Sequence, residues 1–345
     1  MTQSIHVLYE YGPDLRPHGS AHIRLLRPLS HPALRDAFQV TFARDYHGEA
    51  VSAVLVDRLW RPDVDLPLVE SLVDRVREAG ARLIYALDDD FLTLDLRRAP
   101  WFREEHRTVA QYLLCSADKV LVTTAELGRR LSKYNRRISV LPNALDERLL
   151  LGGIGATPFE EDRIVVGYMG TLSHDEDLLL TLPALQSLAR AHAGRIELQI
   201  VGGIAHPDTL REFSELPLRV LHPDPGEAEY PLFMLWFTGR LRWDIALAPL
   251  VAADFNACKS DIKFLDYAAA GVPGIYSRVP AYTHSVRHRE TGWLVENTPD
   301  SWCDALESLI LDRELRGRLA TNARGYLYSE RVLAKCASDW LTALD

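Results

Sequence analysis

The chain has 345 residues and a net charge of −9, and 47% of its residues are hydrophobic. About 150 residues is typical of one hydrophobic core, so this length predicts two domains. The composition excludes an intrinsically disordered chain. The sequence contains no long Lys/Arg run, which argues against a nucleic-acid partner because phosphates require a basic surface.

The N-terminal sequence MTQSIHVLYEY lacks the basic start and apolar stretch of a secretory signal. No segment approaches the ~18 apolar residues that a membrane span needs. The cysteines Cys115, Cys258, Cys303 and Cys336 are widely spaced and form no CxxC pair. These features predict a soluble cytoplasmic protein with reduced thiols.

Short apolar runs alternate with amphipathic segments in the first half, as is typical of βα units around a parallel sheet. We predict strands in SIHVLYEY, VSAVLVDRLW, ARLIYALDDD and KVLVTTAEL. Helices are predicted in AHIRLLRPL, LPLVESLVDRVREAG and AELGRRLSKY, the second of which ends at Gly80.

The same alternation begins again with the strand RIVVGYMG and a helix over LLLTLPALQSLARAH. Further strands are predicted in IELQIVGG, LRVLH, DIALAPL, PGIYS and GWLVE. Residues 141–162 contain prolines and glycines without a sustained pattern and predict the domain boundary. We therefore expect domains at 1–150 and 151–328, and a C-terminal helix at 329–345 that completes the second domain or crosses back to the first.

The strand RIVVGYMG ends on glycine, and a turn and a helix follow it. Glycine lets the backbone approach a ligand, and the first amides of a helix bind anions. Gly170 and this turn are therefore a candidate diphosphate site. The alternative is an ordinary βα turn in which Thr171 or Ser173 caps the helix. Gly167 and Gly170 do not form GxGxxG, which disfavours a nicotinamide enzyme.

A second candidate site lies in DFNACKSDIKFLDYAAAGVPGIYS. Lys259 and Lys263 are four residues apart, which puts them on one helical face, and Asp266 follows three residues later. Two ammonium groups and a carboxylate suit a ligand with phosphates at one end and sugar hydroxyls at the other. The alternative is a solvated surface face, which is usual for isolated Lys and Asp. The small residues at 268–271 favour close packing of this helix on its sheet.

Three carboxylates, Asp88, Asp89 and Asp90, follow the strand predicted in ARLIYAL. Ligands of open α/β sheets gather at the carboxyl ends of strands, so one of these groups is expected to orient or deprotonate an acceptor hydroxyl. The first alternative is an N-cap for a helix directly after Phe91, with salt bridges to Arg97, Arg98 or Arg103. The second is a Mg²⁺ or Mn²⁺ site, which we favour least because the lysines can neutralise a diphosphate without a cation.

The order of VTTAELGRRLSKY, VLPNALD, VVGYMGTLSHDEDL, DIALAPL and KSDIKFLDYAAAGVPGIYS resembles that in glycosyltransferase family 4. The resemblance covers roughly residues 85–300. It implies GT-B architecture, in which two Rossmann-like domains with parallel sheets face a central cleft. It also implies that the C-terminal domain binds a nucleotide sugar.

The resemblance also implies roles for individual residues. Those on the diphosphate side would be Gly170, Thr171, His174, Lys259 and Lys263. Asp266 stands where the family usually has a glutamate that binds the ribose. Cys258 replaces a first glutamate that contacts the transferred sugar, which leaves Asn256 or Ser260 as the substitute. Asp88 and Asp89 would align with a His-Asp pair in the N-terminal domain.

The sequence therefore predicts a metal-independent glycosyltransferase of the hexosyl or deoxyhexosyl class, with Asp88, Asp89 and Lys263 as candidate catalytic residues. No cofactor is expected besides the nucleotide-sugar donor. The acceptor is expected to be a glycan, a lipid-linked sugar or a protein in surface-polysaccharide biosynthesis, with peripheral membrane association. Family resemblance favours retention of anomeric configuration, whereas an aspartate base equally suits inversion.

Two other functions remain open at this stage. GT-B-shaped epimerases also bind nucleotide sugars, and they need no acceptor pocket. A catalytically degenerate nucleotide-sugar-binding protein is the third hypothesis, suggested by Cys258 and Asp266 in place of glutamates.

Overall fold

The computed structural model describes residues 2–96, 101–150, 163–170, 174–192, 194–202 and 207–345. These residues form two α/β domains, each built on a six-stranded sheet. Every paired strand in both sheets is parallel, which confirms the predicted fold class. Within the described ranges, every helix is too short or too polar to cross a bilayer.

The first sheet has the strand order β2-β1-β3-β4-β5-β6. Its strands are β1 (Gln3–Leu8), β2 (Phe38–Ala43), β3 (Ala53–Asp57), β4 (Arg82–Leu87), β5 (Lys119–Val122) and β6 (Ile138–Val140). Its helices are α1 (Gly19–Ala21), a π-helical turn (His22–Leu26), α2 (Arg27–Leu29), α3 (Leu66–Glu78), α4 (Glu104–Ser116) and α5 (Ala125–Leu131). Two 3-10 turns lie at Pro32–Leu34 and Glu147–Leu149.

The four strands predicted in this domain are present, but the sequence analysis missed β2, β6 and α4. Strands β2 and β6 are the two edges of the sheet and are only partly buried, so neither has the continuous apolar run of the central strands. Helix α3 ends at Glu78, and Gly80 takes up the left-handed conformation with φ +67°, as predicted from its position.

The second sheet has the order β12-β11-β10-β7-β8-β9. Its strands, all at predicted positions, are β7 (Ile164–Gly170), β8 (Ile196–Gly202), β9 (Leu218–Leu221), β10 (Ile245–Ala248), β11 (Gly274–Ser277) and β12 (Trp293–Val295). The helices are α6 (Asp175–Leu179), α7 (Leu182–Ala191), α8 (Pro207–Glu212), α9 (Tyr230–Arg240), α10 (Asp254–Ala257), α11 (Ile262–Ala270), α12 (Pro280–Thr283), α13 (Pro299–Leu311), α14 (Arg313–Glu330) and α15 (Leu333–Leu344), with a 3-10 turn at Pro225–Glu227.

The single helix predicted over LLLTLPALQSLARAH is two helices, α6 and α7. Pro183 lies in the first turn of α7, where its missing N–H cannot bond to the preceding turn. The buried Thr181 separates the two helices, and its hydroxyl donates to the Leu178 carbonyl at 2.7 Å. The apolar spacing was read correctly, but the proline ends the helical hydrogen bonding.

Each sheet reverses its strand order next to its first strand. β1 lies between β2 and β3, and β7 lies between β8 and β10. The loops that leave the two strands at such a reversal run to opposite faces of the sheet and open a crevice at the carboxyl ends. The fold therefore creates one crevice at β1 and β3 and another at β7 and β10.

Apolar side chains cover both faces of each sheet. The last helix, α15, packs on the first domain, where Trp340 and Leu344 join a core cluster with Ile5. Arg82 donates to the Leu344 carbonyl at 2.8 Å. The first sheet ends at Val140 and the second begins at Ile164, while residues 151–162 of the predicted boundary lie outside the described residues.

Candidate functional site

The two lysines singled out in the sequence lie at the β7/β10 crevice, on the segment that follows β10. Lys259 Nζ is 3.4 Å from Asp89 Oδ1 of the first domain and 4.7 Å from the centre of the Phe255 ring. Lys263 lies in the first turn of α11, and its ammonium has no hydrogen bond or ion pair to any described residue. Burial and the charge of Lys259 lower the pKa of Lys263 to about 8. An anion placed between the two ammonium groups would relieve this repulsion.

His174 and Asp177 form the opposite wall of this crevice, after β7. His174 Nδ1 is 2.6 Å from Asp177 Oδ2, and Asp177 Oδ1 accepts from the Val251 N–H at 2.6 Å. Asp177 thus connects the segment after β7 with the segment after β10. Burial and the two lysines lower the pKa of His174 to about 4, so the imidazole is neutral at physiological pH.

The predicted diphosphate turn is only partly described. Thr171 and Ser173 lie outside the described residues. Gly170 is the last residue of β7, and a Cβ added there would meet the Tyr168 hydroxyl at 2.7 Å, which is a packing reason for glycine beside the predicted ligand approach. Helix α6 has five residues, so its dipole is short and the charge at this crevice comes mainly from the lysines.

Asp266 is buried on α11, one turn beyond Lys263. Its Oδ1 atom has no hydrogen-bond partner among the described residues. Burial raises the pKa of Asp266 to about 7, although Lys263 acts in the opposite direction. A buried carboxylate oxygen without a donor is costly, so this position favours a ligand that supplies hydroxyl or amide hydrogens.

The two candidate substitutes for the missing glutamate already have protein partners. Asn256 Nδ2 donates to the Val251 carbonyl at 2.9 Å and so closes the loop after β10. Ser260 Oγ accepts from Asn143 Nδ2 at 2.9 Å. Cys258 is fully buried and joins the core cluster of the first domain, and its carbonyl accepts from Thr124 Oγ1 at 3.0 Å. The loop that carries Lys259 is therefore anchored to the first domain.

A buried ion pair fixes the start of α11. Arg331, between α14 and α15, donates to both Asp261 carboxylate oxygens at 2.8 and 2.9 Å. The same guanidinium donates to the Asn143 carbonyl at 2.7 Å. The side-chain Oδ1 of Asn143 also accepts from Arg24 Nη1 at 3.0 Å. Asn143 therefore connects Arg24 of the first domain with Arg331, which holds the start of the helix of Lys263.

The three predicted carboxylates at the end of β4 have different environments. Asp88 is 3.1 Å from Arg58 Nη1, and burial raises the pKa of its carboxyl group although Arg58 opposes the shift. Burial also acts to raise the pKa of Asp89, but Lys259 and Arg58 outweigh it and lower that pKa. Asp90 Oδ1 accepts from the Leu92 N–H at 3.2 Å, which is a capping role. Asp88 and Asp89 face charged partners, and Asp90 stabilises a turn.

The predicted salt bridges of the carboxylate triplet are only partly covered by the described residues. Arg97 and Arg98 lie outside them, and Arg103 is 3.9 Å from Glu105. Helix α4 begins at Glu104, so the predicted helix directly after Phe91 is a turn. Arg58, which was not predicted, pairs with Asp88 because the parallel pairing of β3 and β4 brings residue 58 beside the end of β4. Such a contact is invisible in a one-dimensional sequence.

Sequence reasoning missed three charged residues at the end of β1 and β3. Glu10 Oε2 lies 3.0 Å from Arg58 Nε and 3.2 Å from His18 Nδ1. The available signal was the position of Glu10 and Arg58 directly after the strand runs HVLY and AVLVD. Charged residues at the carboxyl end of a buried strand favour a site rather than a core.

One further group has metal-binding residue types, namely His31, Asp146 and Glu147. Asp146 already accepts from Arg27 Nε at 2.6 Å and from Arg148 Nη2 at 2.7 Å. His31 Nε2 lies 3.0 Å from Glu147 Oε1. The two arginines neutralise the acidic side chains, so this group is an ion-pair cluster beneath α15.

The second domain matches a known protein family. Residues 163–312 match the family described as glycosyl transferases group 1. The matched range begins beside β7 and ends just after α13, so it includes both walls of the crevice that holds Lys259 and Lys263.

Two curated relatives are similar in sequence. The chain is 27% identical over 243 residues to the D-inositol 3-phosphate glycosyltransferase of Corynebacterium glutamicum, covering 64% of this chain and 55% of that protein. It is 29% identical over 186 residues to the GDP-mannose-dependent alpha-(1-6)-phosphatidylinositol monomannoside mannosyltransferase of Mycobacterium tuberculosis, covering 49% of this chain and 44% of that protein. The chain thus spans about half the length of these relatives.

Solved structures share the whole two-domain fold. HepE of Anabaena, in complex with UDP and glucose, has a TM-score of 0.69 and 12% identity, with 100% of this chain and 99% of that chain covered. A glycosyltransferase from Rickettsia africae has a TM-score of 0.67 and 11% identity, with 99% and 97% covered. The arrangement of both domains therefore agrees with the expected architecture.

Proposed function

We propose that this GT-B-fold chain, whose residues 163–312 match the group 1 glycosyl transferases, transfers a sugar from a nucleotide-diphosphate sugar to a hydroxyl acceptor. The observation that carries this proposal is the β7/β10 crevice. There Lys263 has no ion pair to any described residue, and Asp266 is a buried carboxylate whose Oδ1 atom has no hydrogen-bond partner among them. The two groups lie three positions apart on α11, so one ligand can contact both.

The diphosphate of the donor would lie against Lys259 and Lys263. Negative charge grows on the leaving diphosphate as the glycosidic bond breaks, and two fixed ammonium groups stabilise that charge. His174 is neutral in this position and can donate or accept a hydrogen bond without adding charge. We propose that the lysines replace the cation of metal-dependent glycosyltransferases.

Asp266 would accept hydrogen bonds from the ribose hydroxyls of the donor. A hydroxyl that donates to the vacant Oδ1 atom favours the ionised carboxylate and lowers its pKa from the value of about 7. The nucleoside would then lie farther along α11 than the diphosphate, towards its buried end. Gly170, Thr171, Asn256 and Ser260 remain proposed donor-site residues around this position.

Asp89 would be released when the donor binds. Its carboxylate now pairs with Lys259, and a diphosphate would compete for the same ammonium. Asp88 and Asp89 would then face the acceptor side, with Arg58 holding Asp88 in place. These are the proposed catalytic contacts of the first domain, together with Lys263 of the second.

Similar proteins guide the choice of substrates. HepE is described in complex with UDP and glucose, and the mycobacterial relative is GDP-mannose-dependent, so UDP and GDP sugars are the first donors to test. The acceptors named for the two curated relatives are a phosphorylated polyol and a glycolipid. We propose a hexosyltransferase that acts with retention in surface-glycan assembly and meets lipid-linked acceptors at the membrane surface.

A thermal-shift panel with UDP, GDP and dTDP tests the proposed donor site. We expect one nucleotide to raise Tm clearly, since a ligand at 100 times its Kd stabilises a fold by about 2.7 kcal/mol. Lys263→Ala should remove most of that increase, whereas Lys335→Ala, an exposed lysine on α15, should not. A chain that none of the three nucleotides stabilises would refute the proposal.

A further inference from the structure

The segment after β7 contains a buried pair of side chains, His174 and Asp177, to which the proposed diphosphate contacts give no defined role. His174 Nδ1 lies 2.6 Å from Asp177 Oδ2, and the two side chains are only 12% and 7% exposed. The other oxygen, Asp177 Oδ1, accepts from the Val251 N–H at 2.6 Å. The pair is therefore fixed to the segment after β10 as well as to its own.

This pair decides which ring nitrogen of His174 carries the hydrogen. An ionised carboxylate can only accept, so Nδ1, the nitrogen that faces Asp177, is the donor. Burial, Lys263 and Lys259 lower the pKa of His174 to about 4, so the ring holds a single hydrogen at neutral pH. The lone pair is then on Nε2, which forms no hydrogen bond to any described residue. Towards a ligand, His174 is thus an acceptor and not a donor.

Further hydrogen bonds hold the pair in place. The His174 carbonyl accepts from the Leu178 N–H at 3.1 Å. Asp175, the residue after His174, accepts from Thr209 Oγ1 of α8 at 3.0 Å, and Thr209 is buried. The position of the imidazole is therefore set by side chains from α8 and from the segment after β10. A fixed ring with an unused lone pair is a preorganised acceptor.

The ring of His174 is close to the cations of the β7/β10 crevice and to a carboxylate of the first domain. Besides burial, the charges of Lys263 and Lys259 lower the pKa of His174, so both ammonium groups lie near the ring. The ring is also near Asp89, which pairs with Lys259 at 3.4 Å. A nucleotide sugar whose diphosphate contacts the lysines would therefore have a neighbouring group beside Nε2.

The lone pair of Nε2 selects among the groups of a nucleotide sugar. Phosphate oxygens accept hydrogen bonds, so they form none with a ring nitrogen that also accepts. Ribose hydroxyls can donate, but they are proposed to contact Asp266, one turn beyond Lys263 on α11. The transferred sugar lies on the other side of the diphosphate. Its hydroxyls are the remaining donors for Nε2.

We infer that His174 accepts a hydrogen bond from one hydroxyl of the transferred sugar, and that Asp177 is the positioning residue that sets the tautomer of His174. This inference rests on the proposed function and makes its substrate class more specific. The donor sugar is a hexose that keeps this hydroxyl, because a deoxy sugar would leave Nε2 unpaired inside the occupied crevice. The role differs from the diphosphate contact that the family resemblance implies for His174.

Substitution of Asp177 separates positioning from contact. In Asp177→Asn the amide oxygen can still accept from the Val251 N–H, while the amide nitrogen faces Nδ1 of His174 and donates to it. The hydrogen of the neutral ring then moves to Nε2, which becomes a donor. ¹⁵N NMR of the full-length chain with labelled histidine distinguishes a protonated ring nitrogen from a bare one. It should show this exchange without any ligand, with the His174 signals assigned by His174→Asn.

Calorimetric titration of the full-length chain measures the preference for the hydroxyl. The ligands are UDP, GDP, UDP-glucose and GDP-mannose, and the monodeoxy analogues of whichever sugar nucleotide binds. We expect one analogue to bind about 10- to 100-fold more weakly than its parent, which is the effect of one unpaired acceptor. His174→Asn keeps an amide for Asp177 but has no atom at the position of Nε2, so it should reduce this ratio to about twofold or less. Asp177→Asn should reduce the same ratio, although residue 177 does not touch the sugar.

The matched control is His192→Asn. The side chain of His192 is 13% exposed and lies 3.7 Å from the Glu307 carboxylate, so its surroundings are similar to those of His174. It lies before β8, at the opposite edge of the sheet from the crevice. The control should leave the ratio between parent and deoxy analogue as it is in the native chain.

Several results would overturn the inference. They are equal binding of every deoxy analogue and its parent, an unchanged ratio in His174→Asn or Asp177→Asn, an equal reduction in His192→Asn, and a native ring that carries its hydrogen on Nε2. Binding of UDP or GDP without binding of either sugar nucleotide would also overturn it. These outcomes leave the nucleotide site intact, whereas a chain that binds neither UDP nor GDP refutes the proposed function itself, and this inference with it.

Discussion

The two crevices of the molecule have the same topology but opposite chemistry. At β7 and β10, Lys263 has no ion pair to any described residue, and Oδ1 of Asp266 has no hydrogen-bond partner among them. At β1 and β3, Arg58 forms ion pairs of about 3 Å with Glu10 and Asp88. Opposite charges are thus paired in one crevice, whereas the cation of the other has no such partner among the described residues. The fold supplies the position of a site, while the loop residues decide what it binds.

The largest expected effect is on the free energy of unfolding and comes from Arg58 in the β1/β3 crevice. Arg58→Met leaves the buried Glu10 and the half-buried Asp88 without their cation, and we expect a loss of about 3–5 kcal/mol in the free energy of unfolding. Arg58 lowers the pKa of Glu10, so the stability it provides is present at neutral pH and is lost as carboxylates protonate in acid. Chemical denaturation at pH 7 and pH 4 should show a smaller difference at pH 4.

The control for that variant is Arg61→Met, three residues later. Arg61 pairs with Asp45 and Asp63, whose side chains are 52% and 66% exposed. Such a surface pair contributes about 0–1 kcal/mol. An equally small effect of Arg58→Met would mean that the stability of the first domain does not depend on the ion pairs of Arg58 with Glu10 and Asp88.

Lys263, the cation of the β7/β10 crevice, should affect turnover rather than folding. Lys263→Ala removes one of two groups that stabilise the leaving diphosphate, and we expect kcat to fall about 10²–10³-fold. Because Lys263 pairs with none of the described residues, the substitution leaves no ion-pair partner among them unpaired, and the Tm of the variant without nucleotide should not fall. Steady-state kinetics and thermal unfolding measure both effects. Unfolding of this variant at lower temperature would contradict the contrast between the crevices.

Asp266→Asn should separate ligand binding from stability. Nucleotide affinity should fall about tenfold, since the amide replaces a charged hydrogen-bond acceptor. Burial raises the pKa of Asp266 in the folded chain to about 7, whereas the same carboxyl group in the unfolded chain titrates near 3.8. The native chain therefore loses stability as the pH rises from about 4 to about 7. The variant lacks this loss, and its Tm relative to the native chain should be higher at pH 8 than at pH 5. Nucleotide titration and thermal scans at both pH values test this.

The smallest expected effect is at the contact between the two crevices. Asp89→Asn removes the competitor of the diphosphate for Lys259, and we expect nucleotide affinity to rise up to about fivefold, because a partly exposed pair contributes below about 1 kcal/mol. Asp254→Asn is a matched control, since Asp254 pairs across the domains with Arg130 rather than with a lysine. Calorimetric titration measures nucleotide affinity in both variants. If both show the same change, the effect comes from contacts between the domains in general and not from competition for Lys259.

Much of this organisation could be predicted from local sequence. Central strands such as β4 and β7 are continuous apolar runs. The spacing of Lys259 and Lys263 predicted that both lie on one helical face, but α11 begins at Ile262, so only Lys263 lies on this helix. The edge strands β2 and β6 could not be found in this way, because partial burial removes the apolar signal. Residues 178–192 were predicted as one helix because apolar spacing gives no sign of the interruption that Pro183 causes in the helical hydrogen bonding.

The sequence by itself determined the two α/β halves, the residues at the ends of β4 and β10, and the family resemblance of the second half. These depend on local periodicity and on short motifs, which a linear chain displays directly. Only the tertiary structure decided which charges are satisfied. Arg58 pairs with Asp88 through parallel strand pairing, Lys259 pairs with Asp89 across the two domains, and Lys263 forms no ion pair within the part of the chain that the structure describes. Ion pairing and desolvation depend on distances between residues far apart in the sequence, and those distances exist only after the sheets have formed.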